Sequence, residues 1–203
     1  KTIDLLELGP GKGTLMKDIL SVAKKFPDFH KAIRVHLVEL SETMRGLQRD
    51  ALGCTSVSST GMKDEIKPES DLTDSPSKIK GVDSSTTSDG LPISWYYSLT
   101  QVPEEKSVAT LAISQEFLDA FPVHQFEYRN GSWRERLVDI CRDAGSDEHF
   151  RIVLSPSETP AVKALLRGAV GMSESQKHNE GECLEVAPLA LATCETIANR
   201  LCR

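Results

Sequence analysis

The stretch Ile3-Asp4-Leu5-Leu6-Glu7-Leu8-Gly9-Pro10-Gly11-Lys12-Gly13 limits the folds open to this chain more than any other. An apolar run, Ile3 to Leu8, reads as a buried strand and runs into a glycine cluster. Leu15, Ile19, Val22 and Phe26 then recur at helical spacing, with Met16, Leu20 and Ala23 widening the stripe. Pro27 and Asp28 stop that helix. Strand, glycine turn and amphipathic helix in this order open a parallel α/β sheet. Glycines let the backbone turn sharply and let a ligand approach without a Cβ in the way. The free N–H groups of the helix start point at the same spot.

The spacing selects among nucleotide-like ligands. A phosphate-binding Walker loop needs Ser or Thr after Gly-Lys, and here Gly13 follows Lys12. A dinucleotide turn needs G-x-G-x-x-G, and position 14 is Thr14. What stands is G-x-G-x-G preceded by Glu7, which resembles the first motif of the class I S-adenosylmethionine-dependent methyltransferases. The resemblance implies that Gly9, Pro10, Gly11 and Gly13 cradle the amino-acid part of the cofactor, with Glu7 serving its ammonium or a loop amide. Ile33 to Leu40 reads as a second strand, and Glu39 at its end is placed to accept hydrogen bonds from both hydroxyls of a ribose. Ser41 reads as the N-cap of a helix whose Met44, Leu47 and Ala51 share one face.

From about Cys54 to Gly90 the chain is rich in Ser, Thr, Asp and Lys, has no aromatic residue and keeps no period. It cannot bury enough apolar surface to offset its ordering entropy, so residues 54–90 are expected to be a disordered loop insertion. Order returns at Leu91–Tyr96 and in the buried strand Val108–Ser114. That strand runs into Gln115-Glu116-Phe117-Leu118-Asp119-Ala120-Phe121-Pro122, a short helical turn at the same sheet edge as the glycines. Asn130-Gly131 between alternating runs predicts a β-hairpin over 124–140. A strand at Phe150–Leu154, a helix at Pro160–Leu166, a strand at Glu182–Val186 and a helix at Leu189–Leu201 complete the pattern.

Composition removes several alternatives. Lys and Arg number 24 against 30 Asp and Glu, a net charge of -6, which is the wrong sign for a surface that coats nucleic acid or anionic lipid. No apolar run approaches the roughly 18 residues of a membrane span. Cys54, Cys141, Cys183, Cys194 and Cys202 contain no C-x-x-C pair, so neither a metal site nor a disulfide framework is expected, and Cys194 and Cys202 read as small buried thiols. The chain opens directly into a strand and closes inside a helix. It therefore reads as a fragment, a single partial domain over 1–203 whose sheet is incomplete at both ends.

In order along the chain, E-L-G-P-G-K-G-T-L, V-H-L-V-E-L-S, I-S-W-Y and Q-E-F-L-D-A-F-P-V-H-Q-F resemble the MidA family of methyltransferases. Trp133-Arg134-Glu135, Leu154-Ser155-Pro156-Ser157 and Glu185-Val186-Ala187-Pro188 fit the same pattern. The resemblance implies an α/β, Rossmann-like class I methyltransferase sheet with an added β-hairpin, and S-adenosylmethionine as cofactor. It implies as substrate a protein, a core subunit of respiratory complex I that is symmetrically dimethylated on arginine in the mitochondrial matrix. Glu116 and Asp119 become the candidate catalytic carboxylates, and Phe117 and His124 candidate substrate-binding residues. Gln115 stands where the family has Asn, and Leu118 where it has a second Phe. Two alternatives stay open: a methyltransferase with another acceptor, and a non-catalytic assembly module with a vestigial cofactor site.

Overall fold

In chain order the first half forms β1 (Ile3–Leu8), α1 (Thr14–Ala23), α2 (Pro27–Ala32), β2 (Ile33–Val38), α3 (Glu42–Ala51), β3 (Cys54–Ser59), β4 (Asp83–Thr87), β5 (Pro92–Tyr96) and β6 (Ala109–Ser114). The structure, a computed structural model, describes residues 1–59, 83–142, 149–169 and 177–201. It divides into two compact units, Lys1–Asp119 with Thr196–Arg203, and Ala120–Glu195.

The sheet of the first unit has the order β3-β4-β5-β2-β1-β6. β1 pairs in parallel with β2 and with β6, and β2 in parallel with β5. β1 is buried on both of its faces, with Asp4 and Glu7 set among the apolar Ile3, Leu5, Leu6 and Leu8. Leu5 joins Val35, Leu37, Ile93 and Trp95 under Met16, Leu20 and Ala23 of α1. Leu6 and Leu8 point the other way and pack with Val38, Tyr96, Leu99 and Val102, against which Ile197 also rests. Deeper on that second face the strands bury charge. Asp4 accepts from Arg34 Nε at 2.8 Å, and the hydroxyl of Tyr96 lies 3.0 Å from His36 Nδ1. Burial pushes the His36 imidazole below its ordinary pKa, against the pull of Asp4.

Three expectations change here. The buried stripe of α1 is Met16, Leu20 and Ala23, whereas Val22 and Phe26 are exposed. The helix ends at Ala23, and Pro27 opens the separate helix α2 at its N-terminal position, where a missing N–H costs nothing. The polar stretch expected as a loop from Cys54 to Gly90 contributes β3 and β4, an antiparallel pair that β4 joins to β5. Backbone ladders and the burial of Ser85 and Thr87 hold an edge whose side chains carry almost no apolar signal. The middle of that stretch, 60–82, lies outside the described residues.

The second unit holds β7 (His124–Arg129), β8 (Ser132–Ile140), β9 (Phe150–Leu154), a π-type helix at Val162–Ala169 and β10 (Cys183–Val186). Its antiparallel sheet has the order β10-β7-β8-β9. Asn130 and Gly131 have φ of 53° and 76°, as a tight turn with two left-handed residues requires. The hairpin expected as an elaboration of one domain is thus the middle of a separate four-stranded sheet. That sheet closes over its own core of Phe126, Trp133, Val162, Leu166 and Val186. The last helix, α4 (Pro188–Leu201), begins in this unit and ends in the first, where Arg200 donates to the Val102 carbonyl at 3.0 Å. Cys54, Cys183 and Cys194 are free thiols, and Cys194, expected to be buried, is exposed.

Candidate functional site

The chain leaves β1 for β2 on one side and returns as β6 on the other, so the strand order reverses at β1. Ligands of open α/β sheets bind outside the carboxyl ends of the strands at such a point. Leu8 lies opposite Val38 in β2 and Ser114 in β6, which puts Gly9, Glu39 and the 115–119 segment just past three adjacent strand ends.

The glycine turn is shaped by two neighbours. Gly9 donates to the Val38 carbonyl at 3.0 Å, and Gly13 donates to the Pro10 carbonyl at 2.8 Å. Gly9 has φ +62°, and a Cβ there would lie 2.5 Å from Phe117 Cδ2. Only glycine lets the Phe117 ring rest on the turn. Gly13, at φ +79°, would bring a Cβ within 3.3 Å of the Gln48 backbone. Gly11 is exposed and has nothing within 4 Å of its would-be Cβ, so its backbone is open to a ligand. Pro10, within the turn, is buried.

Glu39 is half-buried and already partly engaged. Its Oε1 accepts from the Ser41 amide at 2.9 Å and its Oε2 from Gln48 Nε2 at 3.2 Å. Gln48 Nε2 also donates to the Gly11 carbonyl at 2.6 Å, and its Oε1 accepts from Trp95 Nε1 at 2.9 Å. Ser41 caps α3, its Oγ accepting from the Met44 amide at 3.3 Å. The face that α3 buries is not the expected Met44, Leu47 and Ala51, because Arg45 and Gln48 are fully buried and Leu47 is exposed. Arg45 donates from Nε and Nη2 to the Glu39 carbonyl at 2.8 and 2.6 Å, and its Nη1 lies 3.2 Å from Asp83 Oδ2. Its guanidinium also lies over the Tyr97 ring, 3.8 Å from the centroid. A helix here spends its inward face on fixing a loop rather than on filling a core. Hydropathy could not identify that face; the only sequence signal was that Arg45, Gln48 and Leu52 share helical spacing just after Glu39.

Glu7 is buried at 3% exposure, and its Oε2 finds no hydrogen-bond partner among the described residues. Burial raises its carboxyl pKa from 4.5 to about 7. Phe117 is half-buried against the Leu6–Tyr96 cluster, and Glu116 and Asp119 on either side of it are exposed. Glu116 has φ +48°, a left-handed conformation that costs a non-glycine residue about 1–2 kcal/mol. Strain of this kind is retained where surrounding structure imposes it, often at functional sites. His124 stands in the second unit, with Nδ1 2.7 Å from Glu135 Oε1. Burial works to raise the Glu135 pKa, but hydrogen bonds from Thr159 and His124 outweigh it and hold it below the ordinary value. Among the described residues no cluster of His, Cys, Asp or Glu is arranged to hold a metal, and no helix is long and apolar enough to cross a membrane.

A sheet with a parallel β5-β2-β1-β6 core, a glycine turn at its switch point and a carboxylate after the next strand define a Rossmann-like protein of the nucleoside-binding class. The residues fit an adenosyl ligand: an open turn at Gly11, a carboxylate with free lone pairs at Glu39 and an unpaired buried acid at Glu7. A family model described as S-adenosyl-L-methionine-dependent methyltransferase matches residues 1–203, and the chain belongs to this family. It is 37% identical over 199 residues to the mitochondrial protein arginine methyltransferase NDUFAF7 of Bos taurus, covering 97% of this chain and 38% of that protein. The Homo sapiens protein of the same name is also 37% identical, with the same coverage. The chain therefore spans about two fifths of the length of these curated relatives. A crystal structure from Burkholderia thailandensis with bound S-adenosyl-homocysteine shares the fold, with a TM-score of 0.58 and 22% identity over 98% of this chain and 39% of that one. A second crystal structure from Burkholderia thailandensis, described as native, aligns with a TM-score of 0.59 and 22% identity, over 98% of this chain and 40% of that one.

Proposed function

We propose that this chain forms the cofactor-binding part of an S-adenosylmethionine-dependent protein arginine methyltransferase. The observation that carries the reading is the seating of Phe117 on Gly9, which joins the glycine turn to the Glu116–Asp119 segment at one sheet edge. In this reading the amides from Gly9 to Gly13 receive the amino-acid part of the cofactor, Glu7 balances its ammonium and Glu39 accepts from the ribose hydroxyls. The cofactor, when bound, supplies a methyl group on a sulfonium. Transfer of that methyl is an in-line displacement, so positioning the acceptor contributes much of the rate.

A guanidinium holds its proton to a pKa above about 12, so an arginine acceptor arrives charged. Glu116 and Asp119 grip that charge by paired hydrogen bonds, turn one nitrogen toward the donor and take up the proton which that nitrogen loses as it is methylated. Their exposure suits an acceptor that enters from solvent as part of another protein. His124, held by Glu135, contributes to substrate binding. The names of the relatives support arginine as the acceptor and a mitochondrial location. The resemblance extends the proposal to symmetric dimethylation of a complex I core subunit in the matrix.

The test is transfer of labelled methyl from S-adenosylmethionine to an arginine-bearing protein, with acid hydrolysis to identify the methylated residue. Glu116→Gln should lower transfer at least about tenfold while leaving S-adenosyl-homocysteine binding within about twofold. Label on a residue other than arginine overturns the acceptor assignment, and unimpaired transfer by Glu116→Gln overturns its role.

A further inference from the structure

We infer that Gln48 is the positioning residue of the nucleoside site, and that its buried amide fixes the selectivity of Glu39 for a ribose bearing both hydroxyls. The inference rests on the adenosyl-ligand reading above. Gln48 is completely buried, yet it sits on a helix face where a leucine would fill the space. A buried polar side chain of this kind is costly unless every group on it is satisfied. The amide orientation follows from chemistry. An indole N–H can only donate, so the oxygen of Gln48 faces Trp95 Nε1 and its nitrogen faces the Gly11 carbonyl and Glu39 Oε2. Both of those groups only accept, so the arrangement cannot be reversed without losing all three hydrogen bonds.

The consequence falls on Glu39. An ionised carboxylate has about four acceptor sites, two on each oxygen. The Ser41 amide takes one site on Oε1 and Gln48 takes one on Oε2. One site remains on each oxygen, which matches two adjacent hydroxyls of one sugar. Arg45 holds the same residue by its backbone, donating twice to the Glu39 carbonyl. The carboxylate therefore cannot turn to follow a ligand that lacks a hydroxyl. Through Gly11 the same amide ties the turn to the ribose acid, so the amino-acid and ribose portions of the ligand meet one rigid element.

Binding of S-adenosyl-homocysteine and of its 2′-deoxyribose analogue to the full chain tests this by calorimetry. The wild type should prefer the ribose form by about tenfold, the worth of one charge-assisted hydrogen bond. Gln48→Glu keeps an acceptor for Trp95 but removes both donors, and Gln48→Met keeps the volume while removing all three bonds. In each folded variant the preference should fall below about twofold, along with a loss of affinity for the ribose form. A loss of affinity that spares the preference, or variants indistinguishable from wild type, overturns the inference and leaves the adenosyl reading standing. A wild-type chain that binds neither probe overturns both. Should the variants not fold, the Trp95 indole N–H resonance of the unaltered chain carries the test: a shift induced by the ribose probe well beyond that by the deoxy probe supports the coupling, and equal responses refute it.

Discussion

Replacing Gly9 by alanine probes the contact that joins the two sequence motifs of the site. Two separate costs arise. At φ +62° an L-residue is held in the left-handed region, at about 1–2 kcal/mol. The new methyl would also lie 2.5 Å from Phe117 Cδ2, about 1 Å inside an ordinary carbon–carbon contact. Phe117 is packed on the Leu6–Tyr96 cluster, so its ring moves only at an overpacking cost of about 1–3 kcal/mol. Gly11→Ala is the control, because at φ +53° it bears the backbone cost alone and meets nothing within 4 Å. Gly9→Ala should therefore destabilise the first unit by about 2–5 kcal/mol and Gly11→Ala by about 1–2 kcal/mol. With Phe117→Ala added, the methyl enters vacated space, and the double variant should be less destabilised than the sum of singles by about 1–3 kcal/mol. Urea unfolding followed by fluorescence measures this, since Trp95 lies in the first unit and a Trp133→Phe background removes the other of the two tryptophans. Equal costs at Gly9 and Gly11, or strict additivity with Phe117→Ala, would refute the reasoning.

Other outcomes follow from the buried groups around the site. Glu7 keeps its proton in the folded state up to about pH 7, whereas the unfolded chain releases it near 4.5. The folded state binds the extra proton between those values, so stability falls as pH rises through that window, by about 3 kcal/mol in all. Glu7→Gln should remove this slope; unfolding curves of wild type and variant that run parallel from pH 5 to 8 would contradict it. Arg45→Lys should cost about 2–3 kcal/mol, because one ammonium cannot serve both the Glu39 carbonyl and Asp83. The same variant should weaken S-adenosyl-homocysteine binding, and a calorimetric titration matching wild type would show that Glu39 does not depend on Arg45.

The parts of this structure that sequence disclosed are those where backbone chemistry is stereotyped. Glycines at Gly9, Gly11 and Gly13 take positive φ at the end of a buried strand, and Asn130-Gly131 turns a hairpin, because few other residues tolerate those conformations. Ser41 caps α3 for a similarly local reason. Misjudged elements are those whose burial answers to something other than hydropathy. α3 presents Arg45 and Gln48 inward to hold the Glu39 loop, so its apolar residues mark the wrong face. β3 and β4 are assembled by pairing to β5, with Ser and Thr on an edge that needs little packing. The candidate carboxylates Glu116 and Asp119 were visible as residue types, but the strained backbone at Glu116 was not, since nothing about a glutamate announces φ of 48°.

The antiparallel pairing of β3 with β4 runs out to Ser59 opposite Asp83. Ser59 and Asp83 therefore stand side by side where the two strands end together on the sheet rim. Asp83 also anchors α3 and the loop before it, because its carboxylate meets both Arg45 and Arg49. A variant that joins Ser59 to Asp83 through a short turn should keep the Glu39 loop anchored through Arg45, whereas one that also removes Asp83 should loosen it.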